Sequence, residues 1–172
     1  MIADLDIAAI FNATLGASHK TVLLGGGDEP VYFPSVEGRE SVILYTRDYV
    51  RSVLHELAHW SLAGEKGRSL LDYGCKYNPP PRTLREQQGF FLAELKVQAL
   101  EKRYCDILDI DFCVSSDAFG IDCTHFAVEV ESLASNLDLF SLPKLSGAVA
   151  IMLKNIPFYL DCSKKIEYDA LH

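Results

Sequence analysis

The chain has 172 residues, 49% of them hydrophobic, enough for one domain with a sizeable core and no need of disulfide support. Its formal net charge is −8, and the 16 Lys and Arg residues are scattered along it rather than clustered. This argues against a phosphate-backbone footprint and so against direct nucleic-acid binding. Five cysteines, odd in number and without a C-x-x-C pair, exclude the simple disulfide-framework and zinc-ribbon patterns and suggest reduced thiols. Asp4 and Asp6 stand where a signal peptide would carry basic residues, and no apolar run is long enough to cross a bilayer. A soluble, cytoplasmic protein without a membrane partner is therefore expected.

In chain order, Ile2, Leu5, Ala9 and Ile10 recur at three- and four-residue steps and predict a short amphipathic helix over 2–12, interrupted at Gly16. "GGGDEP" at 25–30 reads as a turn. Gly25 to Gly27 lack the Lys-Ser/Thr and helix start of a phosphate loop. "VYF" (31–33) and "SVILYT" (41–46) have the β-branched and aromatic content of strands and are bounded by Pro30, Pro34 and Gly38. They predict a small sheet, with a hairpin as one way of pairing them.

From Asp48 to Ala63 the apolar period becomes helical and Gly64 supplies a stop. Residues 72–82, "DYGCKYNPPPR", are predicted to be a structured loop, because three prolines remove backbone donors and fix φ. Thr83 and Glu86 stand in capping-box register at the head of a helix expected to reach about Tyr104. Two further helical segments are expected near 125–137 and 143–155. The fold class that follows is α+β: a mainly helical single domain with a small sheet, similar to the zincin arrangement in which the metal-binding helix backs onto a strand.

The segment most informative about chemistry is "HELAHW", residues 55–60. Residues four apart on a helix differ by about 40° in rotation and about 6 Å along the axis, so His55 and His59 project from one face and can share one ion. Glu56 lies about 100° around from His55 and stands where metalloproteases carry the base for a metal-bound water. A third ligand must come from elsewhere. Glu94 in "GFFLAELKVQAL" is the best candidate, a carboxylate whose helical neighbours Phe90, Phe91 and Val97 are apolar; Asp72 and Glu65 compete. Two histidines and one carboxylate suit zinc in a peptidase and Fe(II) in an oxygenase alike. His125, beside Phe126, is isolated and reads as structural rather than as a ligand.

Taken together, Gly27-Asp28-Glu29-Pro30, the His55, Glu56, His59, Trp60 frame with Ala63 and Gly64, then Asp72, Gly74, Tyr77, Pro79 and Arg82, and finally Glu94, Lys96, Gln98, Ala99 and Leu100 resemble the elongation factor P hydroxylase family. The resemblance covers roughly residues 5–115 and, more loosely, "LPKLSGAVAIML". It implies a monooxygenase that hydroxylates the β-lysylated lysine of translation elongation factor P, with non-haem Fe(II) as metal and dioxygen as co-substrate. Its metal motif maps onto His55 and His59, with Glu94 as the carboxylate placed from this chain's own helix pattern. The chain departs from the family at Lys76, at Pro80 and Pro81, and in the tail beyond about residue 157. An acidic cavity mouth would attract the cationic lysyl-lysine side chain, for which Asp28 and Glu29 are candidates, although acids are also common in solvated turns. Tyr73 and Tyr77 are candidates to line the approach. The competing readings are a zinc-dependent peptidase built on the HExxH frame alone and a catalytically silent adaptor bound to a translation factor.

Overall fold

In the computed structural model the described residues are 2–46, 49–76 and 78–161. Three strands form one sheet in the order β1-β3-β2, with β1 spanning Thr21–Gly27, β2 Val31–Phe33 and β3 Ser41–Thr46. The central strand β3 alternates: Ser41, Ile43 and Tyr45 are buried while Val42, Leu44 and Thr46 are half-buried. That is the period-2 pattern of a strand with one face on a core. β2 pairs with it antiparallel, Tyr32 opposite Ile43, and β1 pairs with it parallel, Leu23 opposite Ile43. Both expected strands are present at their expected bounds, and they do pair antiparallel.

β1 corrects the reading of 25–30 as a turn, because Gly25 to Gly27 belong to the strand and only the stretch after them bends. The reason is steric and non-local. A Cβ on Gly25 would lie 2.8 Å from the Tyr45 ring, and one on Gly27 would lie 2.8 Å from the Leu44 side chain. Large side chains of the neighbouring strand fill the room that side chains on β1 would need.

The first helix, α1 (Asp4–Phe11), also runs on where a stop was expected, through a π-helical turn (Asn12–Gly16) and a last turn, α2 (Ala17–His19). It ends at Lys20 in the left-handed conformation, φ 49°. A Cβ on Gly16 would meet the Thr21 carbonyl at 2.6 Å, so this glycine permits a close helix-to-strand approach rather than a break. The widened turn turns Asn12 toward β1: its amide donates to the Leu23 carbonyl at 3.0 Å and accepts from the Leu23 N–H at 2.8 Å. The outer backbone edge of β1 is thereby satisfied at its middle.

The helix carrying the two histidines, α3 (Val50–Leu62), packs on β3, on α5 (Leu84–Leu108) and on α7 (Lys144–Lys154). Its start was expected near Asp48, which lies outside the described residues. Val53, Leu54, Leu57, Ala58 and Trp60 on this helix join Ile7, Phe11, Ile43, Leu100, Tyr104 and Leu153 in the main core. Within that core, Tyr104 donates to the Ser146 carbonyl at 3.1 Å and its hydroxyl lies 3.2 Å from that of Ser61. One buried hydroxyl cluster thus joins α3, α5 and α7.

α5 opens as expected, with Thr83 Oγ1 accepting from the Glu86 N–H at 3.3 Å and Glu86 Oε2 accepting from the Thr83 N–H at 2.8 Å. It extends one turn past the expected end. The helix α6 (Thr124–Asn136) adds a smaller core of Ala99, Phe126, Val130 and Ala134. Between α3 and α5 lie a short helix, α4 (Gly64–Arg68), a 3-10 turn (Leu71–Gly74) and the proline-rich loop. Among the described residues, no helix is long and apolar enough to cross a membrane. The α+β expectation holds: a mainly helical single domain with a three-stranded sheet.

Candidate metal centre

Because the apolar stripe of α3 is buried, His55 and His59 are left on the flank that faces α5. Across from them stands Glu94, 2% exposed. Its Oε2 lies 3.5 Å from His55 Nε2, and its Oε1 lies 3.3 Å from His59 Nε2. One ligand atom from each of the three residues fits within a span of 4.8 Å. The sequence competitors are elsewhere. Asp72 lines the same cavity, but its Oδ1 accepts the Tyr32 N–H at 2.9 Å, and Glu65 is exposed on α4. His125 is exposed on α6 beside Glu129.

Two residues that sequence reasoning missed, one buried and one half-buried, complete the surroundings. Glu101, seven residues after Glu94 and so on the same face of α5, accepts from His55 Nδ1 at 2.9 Å through Oε2. Its Oε1 accepts from Arg51 Nε at 3.2 Å and Nη2 at 3.0 Å. Arg51 sits one turn before His55 on α3, lies over the Phe112 ring and also donates to the Cys113 carbonyl. A signal was available: Glu94, Gln98 and Glu101 put three polar residues on one stripe of a helix whose neighbours Val97, Leu100 and Tyr104 are core.

Since a carboxylate only accepts, the bond to Glu101 places the proton of neutral His55 on Nδ1 and leaves Nε2 with its lone pair toward Glu94. Burial disfavours charge on His55, yet the hydrogen bond to Glu101 and the carboxylates Glu101, Glu94 and Glu56 outweigh it and hold the imidazole up to about 9 in the metal-free chain. Glu56 lines the same cavity; burial pushes its carboxyl up, partly offset by His59 and His55. The cluster therefore favours positive charge, and its donor set of two imidazole nitrogens and one carboxylate is chemically suited to a divalent transition metal.

The far wall is made by the 3-10 turn. Asp72 and Tyr73 are both left-handed, with φ of 47° and 58°, a conformation that costs non-glycine residues about 1–3 kcal/mol each. The Tyr73 ring stacks between Tyr32, at 4.2 Å, and His59, at 5.8 Å. Its hydroxyl is buried without a hydrogen-bond partner among the described residues, and burial and Glu56 hold that phenol well above its usual range.

The cavity over the cluster has a volume of ≈ 830 Å³, and Asp28 and Glu29 stand at its rim with Tyr73 inside. Tyr77 lies outside the described residues. The loop after the 3-10 turn is clamped by Arg82, whose side chain is 2% exposed and donates to Asn78 O at 2.6 Å, Ser116 O at 3.2 Å and Asp117 Oδ2 at 2.7 Å. Gln98 exchanges two 2.9 Å hydrogen bonds with the backbone of Ser115. Thus α5 carries Glu94 and, through Gln98, also holds the backbone at Ser115 beside the cavity.

Two comparisons with known proteins bear on this arrangement. The elongation factor P lysine hydroxylase of Haemophilus influenzae is 43% identical over 97 residues, which cover 56% of this chain and 54% of that protein. The chain thus aligns with about half the length of that relative. A family model described as elongation factor P hydroxylase matches residues 10–163. Since that match runs from the end of α1 past α7 and takes in the whole sheet and every side chain placed around the cavity, the chain belongs to the elongation factor P hydroxylase family.

Proposed function

We propose that the chain is a non-haem iron monooxygenase that uses dioxygen to hydroxylate the β-lysylated lysine side chain of translation elongation factor P. The observation that carries this reading is the convergence of His55 Nε2, His59 Nε2 and Glu94 at the base of a cavity, in a chain whose family is described as elongation factor P hydroxylase. His55, His59 and Glu94 would hold Fe(II), a set of three protein ligands that leaves positions open. Bound there, iron would supply the oxygen activation that an unactivated C–H bond requires and that side-chain acid–base chemistry cannot provide.

The remaining steps belong to the chain's own residues. A cavity of ≈ 830 Å³ has room for a long aliphatic amine, and binding it there would hold one methylene near His55, His59 and Glu94. Asp28 and Glu29 at the rim would attract its ammonium groups, and Tyr73 would line its path. Glu56, buried beside both histidines, would orient a bound molecule or hold a proton there. Its raised carboxyl also suits the general base of a zinc peptidase, which makes that the second reading.

The deciding experiment is intact-mass analysis of lysylated elongation factor P after aerobic incubation with the iron-loaded protein and an added two-electron reductant, which reduces the second oxygen atom of dioxygen to water. Gain of one oxygen atom by the wild type and none with His55→Ala is the expected result. Peptide cleavage by the zinc-loaded protein, with no mass gain under iron, would replace the hydroxylase by the peptidase.

A further inference from the structure

The two histidine rings of the cluster are held in different ways. His55 is fixed by a hydrogen bond from Nδ1 to Glu101 at 2.9 Å. His59 makes no hydrogen bond through Nδ1 among the described residues; its ring instead meets the His55 ring edge-on at 4.8 Å and lies parallel to the Tyr73 ring in offset stacking, 5.8 Å between centroids and only 4° between the two planes. Tyr73 is itself backed by Tyr32, 4.2 Å away at 16° and 1% exposed in β2. His59, Tyr73 and Tyr32 therefore form a continuous stack from the cluster into the sheet.

This stack addresses a real weakness. The torsion that turns an imidazole about its Cβ–Cγ bond joins sp³ to sp² carbon and has broad wells, so the side chain's own rotamer preference does not fix the ring plane. The direction of the Nε2 lone pair depends on that plane. The backbone that delivers Tyr73 is also committed: two consecutive non-glycine residues are left-handed, and the turn is pinned by Asp72 Oδ1 accepting from the Tyr32 N–H at 2.9 Å and by Cys75 N–H donating to the Asp72 carbonyl at 2.9 Å. Such a conformation persists only where the surroundings over-determine it.

We infer that Tyr73 is a positioning residue whose ring sets the plane of the His59 imidazole, doing by stacking for His59 what Glu101 does by hydrogen bonding for His55. The inference rests on His55, His59 and Glu94 holding a metal, and its test separates the two. Co(II) is titrated into the full chain, and affinity and visible ligand-field spectrum are read for the wild type, His59→Ala, Tyr73→Phe and Tyr73→Leu. Tyr73→Phe should match the wild type in both, since it keeps the ring. Tyr73→Leu should bind roughly tenfold or more weakly, the scale for losing a group that orients a ligand, with displaced bands.

Wild-type affinity and spectrum in Tyr73→Leu would overturn the role of Tyr73, and so would an equal loss in Tyr73→Phe, which would assign the effect to the hydroxyl. A wild type that binds no Co(II), or a His59→Ala protein that binds it as tightly, would instead overturn the metal site itself. Should Tyr73→Leu fail to fold, nuclear Overhauser contacts between the Tyr73 and His59 rings in the wild type decide: their presence supports the stack and their absence refutes it.

Discussion

Glu101→Gln is the sharpest test of how the cluster is organised, because it changes no volume and only one atom's chemistry. In the wild type, Oε2 accepts from His55 Nδ1 while Oε1 accepts from both Arg51 Nε and Nη2. A glutamine has one accepting oxygen. If that oxygen faces His55, the amide N–H groups confront the donors of Arg51; if it faces Arg51, the amide donates to Nδ1 and forces the proton of His55 onto Nε2, the atom turned toward Glu94. The first orientation breaks the contacts to Arg51; the second keeps both contacts but turns the Nε2 lone pair of His55 into an N–H that cannot ligate a metal. Leaving a buried donor unsatisfied costs about 1–3 kcal/mol, and losing a partner that orients a histidine ligand typically weakens metal binding about 10–100-fold, or roughly 1.4–2.7 kcal/mol. Isothermal titration with Co(II) and thermal melting of the metal-free protein measure the two effects. Metal affinity and melting both unchanged in Glu101→Gln would refute the proposed role of Glu101.

The same geometry gives a pH dependence. His55 in the metal-free chain is raised from its usual 6.5 to about 9, so its charge stabilises the fold fully below the lower value and that contribution is lost as pH rises through the upper one. Melting under a strong chelator should therefore weaken between these values, and much less so in His55→Gln; a flat profile in the wild type would contradict it. Gly25→Ala should cost about 1–3 kcal/mol, the usual range for overpacking a filled space, because the new Cβ would meet the Tyr45 ring at 2.8 Å; chemical denaturation measures it, and a neutral result would mean that the ring yields freely. Asp28→Asn with Glu29→Gln should raise KM for the lysylated substrate several-fold while leaving kcat and metal content unchanged, with the difference shrinking at high salt. An unchanged KM would remove these acids from substrate attraction.

What could be read from the sequence was what local chemistry alone decides. β2, β3 and the capping box of α5 follow from β-branched runs, bounding prolines and a Thr-x-x-Glu spacing, and the pairing of His55 with His59 follows from helical geometry. β1 was hidden because Gly25 and Gly27 answer to Tyr45 and Leu44 on another strand, and the helix running past Gly16 was hidden because that glycine answers to Thr21. Both are tertiary demands that read locally as turn and stop signals. Glu94 was recognisable as an acid among apolar neighbours, but Glu101 needed one further step, the seven-residue return to the same helix face. Tyr73 could be read as a candidate for lining the approach, but not its stacking on His59, since two consecutive left-handed non-glycine residues have no propensity signature.

The hydroxyl cluster of Ser61, Tyr104 and Ser146 has a consequence well beyond its own hydrogen bonds. It lies on the side of α3 away from the cavity, two residues beyond His59, and ties that helix to two neighbours at once. A helix held only by interchangeable apolar contacts can roll about its axis with little resistance. A roll of about 10° would sweep a nitrogen about 6 Å from the axis through about 1 Å, twice the roughly 0.5 Å tolerance of a working site. These three hydroxyls thus act as a key in a shaft, resisting such a roll from the dry side of α3 while the bonds of Arg51 and His55 to Glu101 resist it from the cavity side.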